Sequence, residues 1–342
     1  MNAQLRNRRN AFTLGVCLIL LSYVPPLSAQ KLTDIDRVRL AEAFRIGDSL
    51  GDQLWPGWHR APFAVLLVTP DYEFLIRHDK PSPDFSFINE DALLKSKVYY
   101  RKRTQPINLL ATFPLVGGVP IIVIGQAENT DKKTSSPWVI TLLHEHFHQF
   151  QYSHPGYYEA VNTLDLAHGD QTGMWMLNYP FPYDWEEMKH HFSLLSSLLA
   201  NAINAKSKAE FTVRFDAYLK QRRELEHTLS PDDYRYFSFQ MWQEGIARYT
   251  EYHMADLAAR RYRPTKAFRS LKDYEPFAQV AEEMKRSVLK QLAAAELATS
   301  KRVLFYALGA GEGLLLDRLN PSWRQRYLTE KFYLDKYFPQ PK

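Results

Sequence analysis

The run His144-Glu145-His146-Phe147-His148 restricts this chain more than any other stretch. Two imidazoles four residues apart share one face only on a helix. The spacing therefore predicts a helix here, and the HExxH pattern predicts Zn²⁺ held by His144 and His148, with Glu145 beside a reactive water. Flanking residues agree: Trp138, Ile140, Leu143, Phe147 and Phe150 give the segment an apolar side. Ser136-Pro137 suits its start, and His154-Pro155-Gly156 suits its end. His146 falls off the shared face and is read as solvent-facing or as an outer partner of the site, not as a ligand.

A catalytic zinc ordinarily takes a third protein ligand and keeps one position open. The best source is the segment Met241-Trp-Gln-Glu-Gly-Ile-Ala-Arg-Tyr-Thr-Glu251, a second expected helix carrying Glu244. Gly245 costs stability inside a helix, and it is expected to repay that by letting this helix approach the metal helix closely. Two rival third ligands are His154, six residues after His148, and Asp165. For His154 to serve, the chain would have to turn sharply at the position held by Gln151, where glycine would be needed.

The chain divides at about residue 135. Residues 31–49 have helical apolar spacing, and Gly51, Pro56 and Gly57 are expected to end that helix. Residues 63–69, 72–76, 85–87, 98–100, 107–113 and 120–125 read as strands. Later segments, at residues 185–203, 210–226, 236–259, 287–298 and 303–319, read as helices, with a mixed helical tail at 323–337. The expected fold class is α+β: a small N-terminal mixed sheet (residues 30–135) packed on a mainly helical zinc-binding portion (136–342). The hairpin at 185–226 is an insertion within that portion.

Residues 1–29 read as a signal peptide. Arg6, Arg8 and Arg9 precede an apolar run, and a small-residue site ends at Ala29. Export to the periplasm or the medium is therefore expected, with no lasting membrane span. Cys17, the one cysteine, lies in that leader, so disulfides and thiol catalysis are excluded for the remainder. A formal charge of +5 over 342 residues, three of its cations in the leader, is too small to suggest a nucleic-acid partner.

HEHFH together with WQEGIARYTE resembles the gluzincin clan of zinc metallopeptidases, especially its aminopeptidase-like and small HExxH/EGxA members, over roughly residues 136–337. The resemblance implies a zincin-like fold, a peptide or protein substrate, and peptide-bond hydrolysis by an activated water. It makes His144, His148 and Glu244 the zinc ligands and Glu145 the general base. Between His148 and Glu244 lie 95 residues, a longer interval than in the familiar members, and the inserted hairpin would fill it. Phe305-Tyr306-Ala-Leu-Gly309 resembles the Tyr-x-x-Gly segment that carries a catalytic tyrosine there, with Tyr249 and His253 as reserves. Residues 125–129 resemble the substrate loop of aminopeptidases in outline, although a polar turn is the better reading of Glu128. Residues 119–124 offer a strand for an extended substrate. His154 as third ligand would instead resemble a metzincin. A different class, a non-catalytic exported peptide-binding protein, is also compatible with the sequence. Asp317 and Arg318 read as a structural pair. The aromatic run at residues 175–183, preceded by His168 and Asp170, reads equally as a cleft roof or a core plug.

Overall fold

Branched apolar runs form the centre of a sheet. The strands are β1 (Val65–Val68), β2 (Tyr72–Ile76), β3 (Ser86–Asp91), β4 (Ser96–Lys102), β5 (Leu110–Val116) and β6 (Val119–Gly125). The computed structural model describes residues 31–339, so the leader pattern at residues 1–29 lies outside the described residues. The strand order is β3-β4-β2-β1-β6-β5. Only β1 and β6 pair in parallel; the other neighbours are antiparallel. Strand alternation sends Val65, Leu67, Ile122 and Ile124 into the main core with the helices, and Leu66, Val68, Ile121 and Val123 into a smaller core with Phe85 and Val116. Burial on both faces explains why β1 and β6 are continuously apolar rather than alternating.

The opening helix runs Asp34–Leu54, with Thr33 accepting from the Asp36 N–H as its cap. It passes straight through Gly51, where the sequence suggests a break. A Cβ at Gly51 would lie 2.2 Å from Trp58 Cδ1, so this glycine marks a close approach to an indole. Arg39 then ties the helix to the start of the metal helix, donating to Ser135 Oγ at 2.9 Å and to Asp273 at 3.1 Å.

The metal helix is Ser135–Tyr152, beginning slightly before Ser136-Pro137. It contacts β5 and β6 on one side and the helix Ile246–Arg261 on another. Trp138, Val139, Leu142, Leu143 and Phe147 are all essentially inaccessible, at roughly 1.5–3 kcal/mol of apolar burial apiece. The chain then forms the expected helical hairpin, Glu186–Ile203 against Lys208–Thr228, the second arm opened by a Ser207/Glu210 capping box. It returns through Pro231–Gln240, a π-helical turn at Met241–Gly245, and Ile246–Arg261. The next helix is Phe277–Ala293, displaced towards the N-terminus from the expected 287–298. Pro276 starts it, and Val280, Ala281, Val288 and Leu292 form its buried stripe despite the many charges between them. The last long helix is Val303–Leu319, as expected. The tail carries only two short turns, Trp323–Arg326 and Leu334–Tyr337. The arrangement is the α+β layout expected from the sequence. No helix among the described residues is long and apolar enough to cross a membrane.

Gly245 serves a different neighbour from the one expected. A Cβ there would lie 2.5 Å from Gly309 Cα, and one on Gly309 would lie 2.3 Å from the Met241 carbonyl oxygen. The two glycines let the Glu244 segment cross the Val303–Leu319 helix at backbone contact. Gly245→Ala should therefore destabilise the fold by about 1–3 kcal/mol through overpacking, read from urea or thermal melts. An unchanged midpoint would show that this crossing can open freely.

Candidate metal centre

One face of the metal helix and the π turn bring three side chains together. His144 Nε2 and His148 Nε2 are 3.2 Å apart, as the four-residue spacing requires. Glu244 Oε2 lies 3.5 Å from His148 Nε2 and 3.9 Å from His144 Nε2. A ligand atom from each residue falls within 4.8 Å of the others. Two imidazole nitrogens and a carboxylate oxygen at this separation form a group that could hold a metal ion. The π turn carries Glu244: the Ile246 N–H bonds to the Met241 carbonyl five residues back. Such an inserted residue rotates the side chains after it relative to an unbroken α-helix.

Outer groups face both imidazoles, and that of His148 is hydrogen-bonded. His148 Nδ1 lies 2.8 Å from Gln151 Oε1. The Gln151 amide nitrogen donates to the Gln243 carbonyl at 3.1 Å and to Tyr327 Oη at 2.7 Å, which turns its oxygen towards the ring. This shorter contact with Gln151 assigns the hydrogen to Nδ1 of His148 and leaves Nε2 for an ion; the Gln243 amide nitrogen lies farther off, 3.2 Å from Nδ1. His144 Nδ1 faces Glu251 Oε1 at 3.5 Å. Gln151, which the sequence presents only as an obstacle to a turn, is thus an orienting residue. Glu251, two turns beyond Glu244, faces the far nitrogen of the other ring at a longer distance, as a charge neighbour rather than a hydrogen-bond partner.

Glu145 lies one residue on from His144 and is held from the sheet. Thr112 Oγ1 on β5 is 2.8 Å from Glu145 Oε2, and both residues are buried. Nothing in the local sequence around Thr112 signals this contact, because the two residues are 33 apart in the chain.

Electrostatics binds the group together without an ion. Burial favours the neutral ring of His148, yet the Glu244 carboxylate outweighs it and pushes the imidazole up to about 9. Burial likewise opposes ionisation of Glu244, but His148 and then His144 draw it down to about 2. In the ion-free chain the pair's stabilisation is fully present between the ordinary values of 4.5 and 6.5. It is lost as pH rises towards 9, where His148 loses its proton, and as pH falls towards 2, where Glu244 gains one. Ligation needs the neutral ring, so metal affinity should rise roughly tenfold per pH unit up to about 9. Calorimetric titrations at several pH values measure this; an affinity independent of pH would contradict the charged pair.

The remaining candidates separate clearly. Tyr306 sits on the Val303–Leu319 helix and accepts a hydrogen bond from Arg302. Burial and then the Glu244 charge raise its pKa. Tyr249 and His253 face away to Asp317, at 2.8 Å and 3.1 Å. Asp317 is paired with Arg324 at 2.6 Å and not with Arg318, whose guanidinium covers the Phe211 ring at 3.8 Å. His154 lies beyond the end of the metal helix, its Nδ1 on the Pro155 carbonyl at 2.9 Å. It lines a separate cleft of about 600 Å³ with Trp55, Arg60 and Leu328. Neither His154 nor Asp165 belongs to the metal group.

His146 is not solvent-facing. It is 1% exposed and stacks on Phe63 with centroids 3.7 Å apart, and burial drops its pKa to about 3. Glu128 belongs to a short turn and accepts from Arg39 at 2.8 Å. Asp170 caps the short helix Trp175–Asn178 through the Trp175 N–H at 2.7 Å. The aromatic run packs inward: Tyr179 stacks on Tyr236 at 4.3 Å and Phe181 meets Phe305 at 5.1 Å. Its rings pack against the core, while Leu177 between them is exposed. One neighbour of the metal group is missed by reading the sequence alone. Tyr152 continues the four-residue series from His144 and His148, and its ring lies 6.0 Å from that of His148.

Comparisons with protein-family models, curated proteins and solved structures give no match.

Proposed function

We propose that this chain is an exported zinc-dependent peptidase of gluzincin type. The convergence of His144, His148 and Glu244 beside Glu145 carries the reading. Zinc is the ion that best suits two imidazoles and one carboxylate in a peptidase setting; bound there, it would supply Lewis acidity to a carbonyl and lower the pKa of water. The protein's own residues account for the rest. Gln151 holds the His148 ring with Nε2 forward, and the Glu251 carboxylate faces the far side of the His144 ring. Glu145, steadied by Thr112, takes the proton of the attacking water and delivers it to the leaving nitrogen. Tyr306 donates its hydroxyl hydrogen towards the developing oxyanion.

The substrate lies along β5, not along residues 119–124. β6 is enclosed by β1 and β5, whereas β5 ends the sheet. An extended peptide adding to β5 would run past Thr112, whose hydroxyl meets the Glu145 carboxylate. Pro114 and the register shift near it confine that pairing to the stretch before them.

A casein or peptide-library digest with and without a chelator tests the reading. Fragments should form, stop with chelation and return with added zinc. Peptide binding without cleavage under all conditions would instead favour a binding protein on a peptidase-like scaffold.

A further inference from the structure

Two arginines beside the Tyr306 ring are partly shielded from solvent yet form no ion pair with a carboxylate among the described residues. Arg248 lies on the first turn of the helix that follows the π turn carrying Glu244. Its guanidinium carbon lies 5.4 Å from the centre of the Tyr306 ring, and Nη1 donates to Gln291 at 2.7 Å. Arg302 precedes Tyr306 by one turn and donates to its hydroxyl, and its charge reaches Glu244. Both arginines are half-buried. Every other described arginine that is buried or half-buried, from Arg37 to Arg324, is bound by an Asp or Glu.

Glu244 and Glu251 lie near enough for Arg302 and Arg248 to act on them through space, but a half-buried guanidinium without a direct ion pair is unfavourable, and its planar fork matches a carboxylate bidentately. We propose that Arg248 and Arg302 form a subsite that receives a substrate carboxylate beside the metal centre. That carboxylate is the peptide's own C-terminus or an acidic side chain near the scissile bond. Its belonging to a substrate rests on the peptidase reading above; the subsite itself does not.

The test uses binding as well as turnover. Zinc-loaded Glu145→Gln protein is titrated with three acetyl-capped alanine–phenylalanine pentapeptides: one with a free C-terminal carboxylate, one amidated, and one amidated with an internal glutamate. A carboxylate-bearing form should bind roughly tenfold to a hundredfold more tightly than the neutral amide, and whichever form does so identifies the source. Adding Arg302→Gln or Arg248→Gln should remove most of that preference, while Arg302→Lys should keep part of it. Salt should erode it too, which serves if a glutamine variant fails to fold.

Equal binding of the three forms would overturn the subsite. So would a preference that survives both glutamine substitutions together, or an equal weakening of all forms in Arg302→Gln, the mark of an arginine that only positions Tyr306. If the wild-type chain cleaves all three forms with equal kcat/KM and binding shows no preference, the subsite fails and the peptidase stands. If a carboxylate preference is seen and no form is cleaved, the subsite stands and the peptidase fails.

Discussion

Replacing Glu145 by glutamine is expected to lower peptide turnover by about a hundredfold or more, with the bound ion and the fold retained. The substitution preserves shape, and the amide oxygen can still accept from Thr112 Oγ1, now 2.8 Å from Glu145 Oε2. What disappears is an ionised group able to take a proton from water. Glu145 is also outside the group formed by His144, His148 and Glu244, so ion content should not change. Parallel kcat/KM and metal-content measurements on the two proteins make the comparison. Loss of the ion would place Glu145 among the ligands. Unchanged turnover would remove it from the proton transfer.

Glu244→Ala is expected to weaken metal affinity by more than about a hundredfold, beyond the range usual for an outer orienting partner. The carboxylate oxygen 3.5 Å from His148 Nε2 is lost, and only the two imidazoles remain. Glu251 cannot replace it, because its oxygen faces the far nitrogen of His144. Glu251→Gln should thus be the milder substitution. Competition with a chromophoric chelator gives both affinities. Equal affinity in Glu244→Ala and the wild type would exclude Glu244 from the site.

Much of the site is legible in the sequence because periodicity reports on local geometry. The four-residue step from His144 to His148 fixes their shared face on any helix. Glu244 stands out among small and aromatic residues, and the helix Val303–Leu319 follows from its own apolar spacing. Other features depend on elements far apart in the chain. His146 lies off the ligand face, but that side is covered by Phe63 from the sheet side of the core rather than by water. Gly245 announces a close approach without naming the partner, which is Gly309. Strand order decides which strand is the edge, and order is invisible in strands read singly. Residues 119–124 therefore read as an open strand, although β5 covers them and holds the edge itself. That Arg248 and Arg302 form no ion pair among the described residues emerges only when the carboxylates of those residues have been placed.

All of the proposed chemistry depends on two imidazoles from one helix and a carboxylate from a later one sharing a single divalent ion. X-ray absorption at the zinc edge, combined with elemental analysis of wild-type and Glu244→Ala protein, tests that sharing directly. The wild type should carry one zinc per chain in a shell of two histidine nitrogens with oxygen, and the variant should lose it. A wild-type chain that takes up no zinc, or one whose zinc shell is the same after Glu244 is removed, would contradict the assignment.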